Sequence, residues 1–179
     1  DYQGIPASAS LVQDRLGCTQ AGAFDLGAGC AGFVYALSTG TQFIASGAYR
    51  NVLVIGGEGL SRICDIYDRN SVIIFGDGAG AVLLRPHADC GQGLIEALRL
   101  GSDGTGADFI IRPRGGPAEP LTPEILSEGT HLVRLKGREV YRFAVDRMTT
   151  LIAWAMEGQD PEQLGLIDGT PIDFHSGKL

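Results

Sequence analysis

The amino-acid sequence predicts an α/β fold in which helices are layered against a sheet. Helical and extended stretches alternate along the chain, as they do in proteins of this class. One extended stretch, residues 51–56, contains the continuous apolar run Val-Leu-Val-Ile, which is typical of a strand covered on both faces. The 27 glycines among 179 residues cluster in places that indicate tight turns between elements. The length allows one well-buried domain, or a large part of a bigger one.

The first part of the chain supplies four predicted elements. Residues 7–16 have the pattern of a helix, and Gly17 is placed to end it. Residues 23–26 are a short stretch that predicts a strand. Apolar side chains recur with helical spacing through residues 31–46, so a second helix is expected before the strand at 51–56.

The second part is predicted to be more irregular. Extended runs at 71–75, 79–84 and 94–100 predict three further strands. Residues 102–130 are rich in Gly, Pro and Thr and predict a long surface excursion. The clearest helix is expected at residues 138–157, because six apolar residues there share one side of the helix: Val140, Ala144, Met148, Leu151, Ile152 and Ala155.

Composition and charge exclude several function classes. The formal net charge is −7, which argues against nucleic-acid binding because that activity needs a large cationic surface. No apolar run reaches the roughly 18 residues needed to cross a bilayer, so no membrane partner is expected. The four cysteines show no metal-ligand spacing and are interpreted as free thiols of a reducing cytosol. We therefore expect a cytoplasmic protein without a bound metal.

Cys30 is the candidate nucleophile. It follows Asp25-Leu-Gly-Ala-Gly, a segment that would end a strand in a tight turn of small residues at the start of a long helix. Unpaired backbone N–H groups and the positive end of the helix dipole favour a thiolate there, and the same N–H groups can hold a developing oxyanion. Such a thiolate is a good acyl acceptor. The alternative is a small, buried and inert cysteine, and the local pattern leaves both interpretations open.

Two long segments resemble a known family. Ala-Gly-Cys-Ala-Gly-Phe-Val-Tyr-Ala-Leu-Ser, around Cys30, is similar to the nucleophile segment of β-ketoacyl-acyl-carrier-protein synthase III, and residues 73–81, Ile-Ile-Phe-Gly-Asp-Gly-Ala-Gly-Ala, are similar to its glycine-rich segment. The similarity is nearly continuous over residues 5–86 and weaker beyond. It implies a thiolase-like layered α/β fold that is incomplete here. Residues 1–164 would hold most of one half and the linking region, and 165–179 a divergent tail.

The resemblance implies an acyltransferase that starts fatty acid synthesis. Members of this family move a short acyl group from coenzyme A to the cysteine, condense it with malonyl carried on acyl carrier protein, and release CO₂. The implied partners are therefore acyl-CoA, malonyl-acyl carrier protein and, in the complete enzyme, a second identical subunit. No cofactor is implied, because the coenzyme A thioester is itself the substrate.

Other positions match residues that bind the substrate in this family. By resemblance, Leu60 and Phe75 line the acyl pocket. Arg69 matches an arginine that contacts the coenzyme A nucleotide, a role that suits a guanidinium because it binds phosphate and stacks on a planar base. An ion pair of Arg69 with Asp65 or Asp68 is the alternative interpretation.

Ile5 matches a residue that reaches across the dimer interface and closes the partner's pocket. The family often has a bulkier aromatic residue there, so we expect this aliphatic side chain to admit a longer or branched acyl primer. Arg138 and Arg142 lie one turn apart on the predicted last helix, with Arg134 and Lys136 just ahead. The resemblance places docking of the acidic carrier protein there, and a solvated helix face is the alternative.

The sequence departs from the family in two catalytic segments. The family's Pro-His-Gln-x-Asn and Gly-Asn-Thr-Ser segments bind the malonyl thioester oxygen as negative charge develops, and both are absent here. Asp-Phe-His175-Ser does not fit the first segment, so no catalytic role is assigned to His175. We expect this polypeptide alone to be marginally stable and inactive in condensation, with self-acylation of Cys30 the most that it retains.

Three other functions stay open at this point. A polyketide starter-unit synthase or acyltransferase of the same fold would share the Cys30 motif and differ in substrate. A thiol-based redox protein would need a resolving cysteine, and the sequence offers no cysteine paired with Cys30. A non-catalytic binding domain descended from such an enzyme would fail to become acylated.

Overall fold

A computed structural model of the protein describes residues 5–91 and 93–157. These residues fall into two compact units. The first unit extends to Gly57 and resumes at Ala79–Leu100, and the second comprises Glu58–Gly78 and the residues from Gly101 onward. Helices and strands alternate along the chain, and the predicted α/β class is confirmed. The tail predicted at 165–179 and His175 lie outside the described residues.

The first unit contains most of the larger pair of strands and the helix that follows Cys30. Its elements in chain order are α1 (Ser8–Arg15), a 3-10 turn (Gly29–Ala31), α2 (Gly32–Ala45), β1 (Val52–Gly59), β2 (Asp77–Leu84) and α3 (His87–Cys90). β1 and β2 are hydrogen-bonded neighbours in a two-stranded sheet. The helices predicted at 7–16 and 31–46 and the strands predicted at 51–56 and 79–84 are confirmed. Gly17, at φ +66, follows the end of α1 as expected.

α2 packs directly on the strands through a residue without a side chain. A Cβ atom on Gly40 would lie 3.0 Å from Cδ1 of Leu84, on β2. It would also lie 3.1 Å from Cγ1 of Val52 and 3.1 Å from Cγ2 of Val54, on β1. Val54 is only 4% exposed beneath the helix. The core of the first unit therefore forms where Gly40 allows the helix to approach the sheet closely.

Three expectations for the first unit are wrong. Within the described residues, neither 23–26 nor 94–100 pairs with a strand, and an apolar stretch without a ladder partner does not become a strand. β1 is also not covered on both faces: Leu53 is 45% and Ile55 41% exposed, because α2 covers the face that carries Val54. A continuous apolar run is thus compatible with a strand that is half-buried in this chain.

The second unit is built from short elements and one long helix. Its elements are two 3-10 turns (Leu60–Arg62 and Gly104–Gly106), β3 (Ile110–Ile111), α4 (Pro123–Glu128), β4 (Arg134–Leu135) and α5 (Gly137–Ala155). β3 and β4 pair antiparallel, with Ile110 opposite Leu135. The surface excursion predicted at 102–130 is therefore partly regular. Its helix α4 begins where the Thr122 hydroxyl accepts a hydrogen bond from the Ile125 N–H at 3.3 Å.

α5 confirms the helix predicted at 138–157, but its surroundings differ from what an apolar stripe suggests. No residue of the helix is buried. On the apolar side, Met148 is 56% and Leu151 39% exposed. None of the helices in the described part of the chain combines the length and the apolar character needed to span a bilayer.

Candidate active site

Cys30 lies in the middle of the 3-10 turn Gly29–Ala31, which continues directly into α2. Gly29 has φ +54, a conformation that residues with a side chain rarely adopt, so this glycine lets the chain turn into the helix. The Cys30 side chain is exposed. The predicted position at the start of a long helix is confirmed, and the alternative of a buried cysteine is wrong.

The backbone N–H groups at this helix start are not capped by side chains. Ala28 precedes the 3-10 turn, Ala31 precedes α2, and neither makes a side-chain capping hydrogen bond. The first N–H groups of a helix have no intrahelical acceptor and carry the positive end of its dipole. They are therefore able to stabilise negative charge, either on a thiolate or on the oxygen of an attacked thioester.

The turn that carries Cys30 is fixed by a contact between Phe33 and β1. A Cβ atom on Gly56 would lie 3.1 Å from Cδ2 and 3.4 Å from Cβ of Phe33. The aromatic ring thus rests on the strand at a position where only a glycine leaves room. Because Phe33 follows Cys30 by three residues, this packing sets where the cysteine stands relative to β1.

Asp25 ties the segment before Cys30 to the start of α1. Its carboxylate accepts hydrogen bonds from the backbone N–H groups of Ser8 at 2.7 Å and Ala9 at 2.8 Å, and the residue before the helix, Ala7, has no side chain that could cap them. The hydrogen bond from Ala9 lowers the pKa of the Asp25 carboxyl. No role for Asp25 follows from the sequence pattern, because the groups that it binds are 17 and 16 residues away.

The four thiols have different environments. Cys18 and Cys90 are exposed, as Cys30 is, whereas Cys64 is 7% exposed. Burial, and then the charge of Asp77, raises the pKa of the Cys64 thiol. None of the four cysteines forms a disulfide, so no disulfide supports the redox alternative. The described residues contain no cluster of His, Cys, Asp and Glu that could hold a metal ion.

Arg69 is exposed, and the two carboxylates next to it are engaged elsewhere. Asp65 accepts a hydrogen bond from the Tyr67 N–H at 2.9 Å. Asp68 accepts from the Asn70 N–H at 3.0 Å, and this hydrogen bond lowers the pKa of the Asp68 carboxyl. Among the described residues Arg69 forms no ion pair. The alternative interpretation of Arg69 as the partner of Asp65 or Asp68 is therefore wrong.

Leu60 and Phe75 are both half-buried residues of the second unit. Leu60 opens the 3-10 turn that follows β1. Phe75 does not lie in a strand, and the strand predicted at 71–75 is wrong. The Phe75 N–H donates a hydrogen bond to the Ser71 carbonyl at 3.2 Å, so the segment forms helical turns instead of a strand. The Asp68 carboxylate stabilises these turns because it also accepts a hydrogen bond from the Ser71 hydroxyl at 2.9 Å.

The basic cluster expected at the start of α5 is smaller than the sequence suggests. Lys136 forms an ion pair with Asp108, and this contact raises the pKa of Lys136. Arg138 and Arg142 form no ion pair within the described part of the chain. They line one exposed stripe of α5, together with Tyr141 and other residues of the same helix. The guanidinium groups of Arg138 and Arg142 thus have no carboxylate partner among the described residues.

The predicted site residues are divided between the two units. The first unit holds Cys30 and Ile5, whose side chain is 89% exposed. The second unit holds the residues expected to bind coenzyme A, the acyl chain and the carrier protein: Arg69, Leu60, Phe75, Arg138 and Arg142.

Comparisons with known proteins agree on one family. A profile of the 3-oxoacyl-(acyl-carrier-protein) synthase III family matches residues 24–104, which include Cys30. A β-ketoacyl-acyl-carrier-protein synthase III of Desulfitobacterium hafniense is 44% identical over 164 residues, which are 92% of this chain and 48% of that protein. One of Streptomyces coelicolor is 48% identical over 145 residues, 80% of this chain and 43% of that protein. The chain spans about half the length of the curated relatives that it matches.

Solved structures show the same relationship. The 3-oxoacyl-(acyl carrier protein) synthase III of Pseudomonas aeruginosa matches with a TM-score of 0.72 and 33% identity, covering 90% of this chain and 47% of that chain. The Thermus thermophilus synthase III matches with a TM-score of 0.68 and 36% identity, covering 88% and 48%. The priming β-ketosynthase from the R1128 polyketide biosynthetic pathway matches with a TM-score of 0.64 and 29% identity, covering 81% and 42%. The predicted layered fold is therefore confirmed.

Proposed function

The chain belongs to the 3-oxoacyl-(acyl-carrier-protein) synthase III family, and we propose that Cys30 accepts an acyl group from acyl-CoA as the first step of a condensation with malonyl-acyl carrier protein. This condensation would initiate fatty acid synthesis. The observation that supports the proposal most strongly is the exposed thiol of Cys30 at the uncapped start of α2.

The acyl transfer follows from the groups at that helix start. The Cys30 thiolate attacks the carbonyl carbon of the thioester, and the new bond joins its sulfur to that carbon. The carbonyl oxygen takes up negative charge, which the uncapped N–H groups beside Ala31 stabilise. When the carbonyl re-forms, the carbon–sulfur bond to coenzyme A breaks, and the coenzyme A thiolate leaves and takes a proton from water.

Residues of the second unit supply the proposed binding functions. Arg69 is exposed and has no ion pair among the described residues, so its guanidinium is free to bind the nucleotide phosphates of coenzyme A. Leu60 and Phe75 are apolar and half-buried, as the walls of an acyl pocket are. Arg138 and Arg142 would attract the acidic carrier protein.

Condensation needs a second set of groups, which hold the malonyl thioester oxygen while CO₂ leaves. The segments that supply them in the family are absent from these 179 residues. We therefore expect this polypeptide to carry out acyl transfer to Cys30 without forming a β-ketoacyl product. Steady production of β-ketoacyl carrier protein from malonyl-acyl carrier protein would contradict this expectation.

The acyl transfer is tested by incubating the full chain with acetyl-CoA. We expect intact-mass spectrometry to show one added acetyl group per chain, with release of one equivalent of free coenzyme A. The Cys30→Ser variant should lose the stable modification, whereas Cys18→Ser, at another exposed thiol, should keep it. The circular dichroism spectra of the three proteins should coincide. An unmodified chain with a folded spectrum would overturn the proposal.

A polyketide starter-unit synthase is the second candidate, favoured by the match to the R1128 priming β-ketosynthase. It would use the same Cys30 chemistry on a different acyl group. A panel of acetyl-, isobutyryl- and octanoyl-CoA would separate the two functions, and it also tests the expectation that Ile5 admits a longer or branched primer across a dimer interface. An acetyl-only result would rule out that role of Ile5.

A further inference from the structure

Asp77 connects the beginning of β2 to the turn that carries Leu60. One oxygen of its carboxylate accepts a hydrogen bond from the Ser61 N–H at 2.8 Å, and the other accepts one from the Ser61 hydroxyl at 2.6 Å. The hydroxyl contact lowers the pKa of the Asp77 carboxyl, which favours the ionised form. Both groups of one serine are thus bound by both oxygens of one carboxylate.

The residue that precedes the turn Leu60–Arg62 cannot accept these hydrogen bonds. Gly59, which precedes the turn, has no side chain to accept from the first free N–H groups. Asp77 supplies the acceptor from 16 residues away. The carbonyl of Leu60 in turn accepts hydrogen bonds from the N–H groups of Ile63 at 3.0 Å and Cys64 at 3.1 Å. The backbone of the buried Cys64 is therefore hydrogen-bonded to this turn, and a movement of the turn would move Cys64 with it.

The other end of the connection is next to Phe75. Asp77 follows Phe75 by two residues, and Ser61 is the neighbour of Leu60. The carboxylate therefore joins the backbone beside one proposed pocket residue to the backbone beside the other. Both residues are half-buried, so a shift of either segment would move an apolar side chain that is partly packed against its surroundings.

We propose that Asp77 is a positioning residue for the acyl pocket, holding the Leu60 turn and the Phe75 segment together so that the pocket keeps its size. The proposal rests on the proposed function, because Leu60 and Phe75 are assigned to the pocket there. Asp77 does not contact the reacting atoms. It acts on the choice of acyl group through the two apolar side chains.

The chain offers a matched control in Asp103. Its carboxylate accepts hydrogen bonds from the Thr105 N–H at 3.0 Å and the Thr105 hydroxyl at 2.6 Å, so it makes the same pair of contacts. These contacts join residues only two positions apart, and the remaining ion pair of Asp103, with Arg147 at 3.8 Å, involves neither the Leu60 turn nor the Phe75 segment. Asp103→Ala therefore removes the same chemistry without separating Leu60 from Phe75.

The experiment compares the full chain with its Asp77→Ala, Ser61→Ala and Asp103→Ala variants. The rate of Cys30 acylation is measured with acetyl-CoA and with octanoyl-CoA, and the rate of Cys30 alkylation by iodoacetamide is measured as a reading that does not involve the pocket. We expect Asp77→Ala to raise the octanoyl-to-acetyl ratio by roughly tenfold, the low end of what a pocket change of one methylene produces. Ser61→Ala should give a smaller rise in the same direction, because its N–H contact remains.

A second reading does not depend on acylation. This measurement uses a background in which the other three cysteines are replaced by serine. There we expect Asp77→Ala to raise the rate at which Cys64 reacts with a thiol reagent by roughly tenfold or more, because local opening would expose the buried thiol. Asp103→Ala should leave the Cys64 rate and the acyl ratio unchanged. Unchanged Cys64 protection in Asp77→Ala would overturn the proposal. If the unsubstituted chain is not acylated at all, the proposed function fails, whereas an unchanged ratio with normal acylation contradicts only the role of Asp77.

Discussion

α2 packs through Gly40 against two strands, whereas α5 has no buried residue along its 19 positions. α2 contains no Asp, Glu, Lys or Arg, and α5 contains five such residues. The apolar side of α2 is therefore used in the core of its unit, while both sides of α5 meet solvent in the described part of the chain. The first helix holds the proposed nucleophile in place, and the second carries exposed charged side chains.

A similar apolar periodicity thus occurs in a helix that packs against a sheet, α2, and in a helix that is exposed on both sides, α5. Position matters for the proposed role of Cys30, because an oxyanion is stabilised only by N–H groups that are aimed at it from hydrogen-bonding distance. In the proposed docking role, Arg138 and Arg142 would attract the carrier protein through a field that extends over roughly a Debye length, about 8–10 Å at physiological salt, so their exact placement would matter less. We expect damage to α2 to change stability, and damage to the α5 charges to change association rates.

The largest effect is expected from filling the contact between α2 and the sheet. Gly40→Val places a side chain where even a Cβ atom lies 3.0–3.1 Å from three side chains, and overpacking of this kind costs about 1–3 kcal/mol. The same substitution at Gly137, on α5, meets no atom within 4 Å at its Cβ position and should change stability by less than about 0.5 kcal/mol. Urea unfolding measures both, and equal losses in the two variants would contradict the comparison.

A smaller loss is expected when the carboxylate before Cys30 is removed. Asp25→Ala leaves the first N–H groups of α1 without an acceptor, and the loss of such a cap costs about 1 kcal/mol. Asp14→Ala removes an exposed carboxylate near the end of the same helix and serves as the control.

The contribution of Asp25 should also depend on pH. Because the pKa of Asp25 is lowered in the folded chain, its stabilisation is fully present above the unfolded pKa of about 3.9 and disappears as pH falls through the folded value. The difference in free energy of unfolding between the parent and Asp25→Ala should therefore shrink in acid. A difference that stays constant from neutral pH to strong acid would show that the carboxylate is not the stabilising group.

The smallest effect on stability is expected on α5. Replacing Arg138 and Arg142 by glutamate changes an exposed face, so the free energy of unfolding should change by less than about 0.5 kcal/mol. The association rate with acyl carrier protein should fall by roughly tenfold at low salt and by less at high salt. Arg147→Glu is a suitable control, because Arg147 already faces Asp103 at 3.8 Å. Equal effects of the Arg147 change and the double change would argue against a docking stripe.

The helices were predictable because their signals are local. Periodic apolar residues and the glycines that follow them placed α1 and α2, and periodicity alone placed α5. The apolar patterns at 23–26 and 71–75 predicted strands wrongly, because such a pattern does not show whether a strand partner is present or which contacts a carboxylate makes. Asp25 binds the start of α1 in the first segment, and Asp68 winds the second into turns.

The position of Cys30 at the start of a helix was predictable, and the residues that support this segment were less so. Cys30 could be placed because the small residues before it and the helix after it are adjacent in sequence. The roles of Asp25 and Asp77 could not, because each binds N–H groups 16 or more residues away and no short motif records the contact. The absence of an ion pair between Arg69 and Asp65 or Asp68 was also not predictable. Both carboxylates accept hydrogen bonds from backbone N–H groups instead, and these contacts depend on the folded backbone.

If the start of α2 makes Cys30 an acyl acceptor, this thiol should react with a thioester before the other cysteines of the chain do. The most direct test is to map the acetyl group by peptide mass spectrometry after a short exposure of the native chain to acetyl-CoA. Cys18, Cys30 and Cys90 are all exposed, so simple accessibility would distribute the label among them. We expect acetylation of Cys30 with the other thiols unmodified. Label spread evenly over the three exposed cysteines, or absent from Cys30, would contradict it.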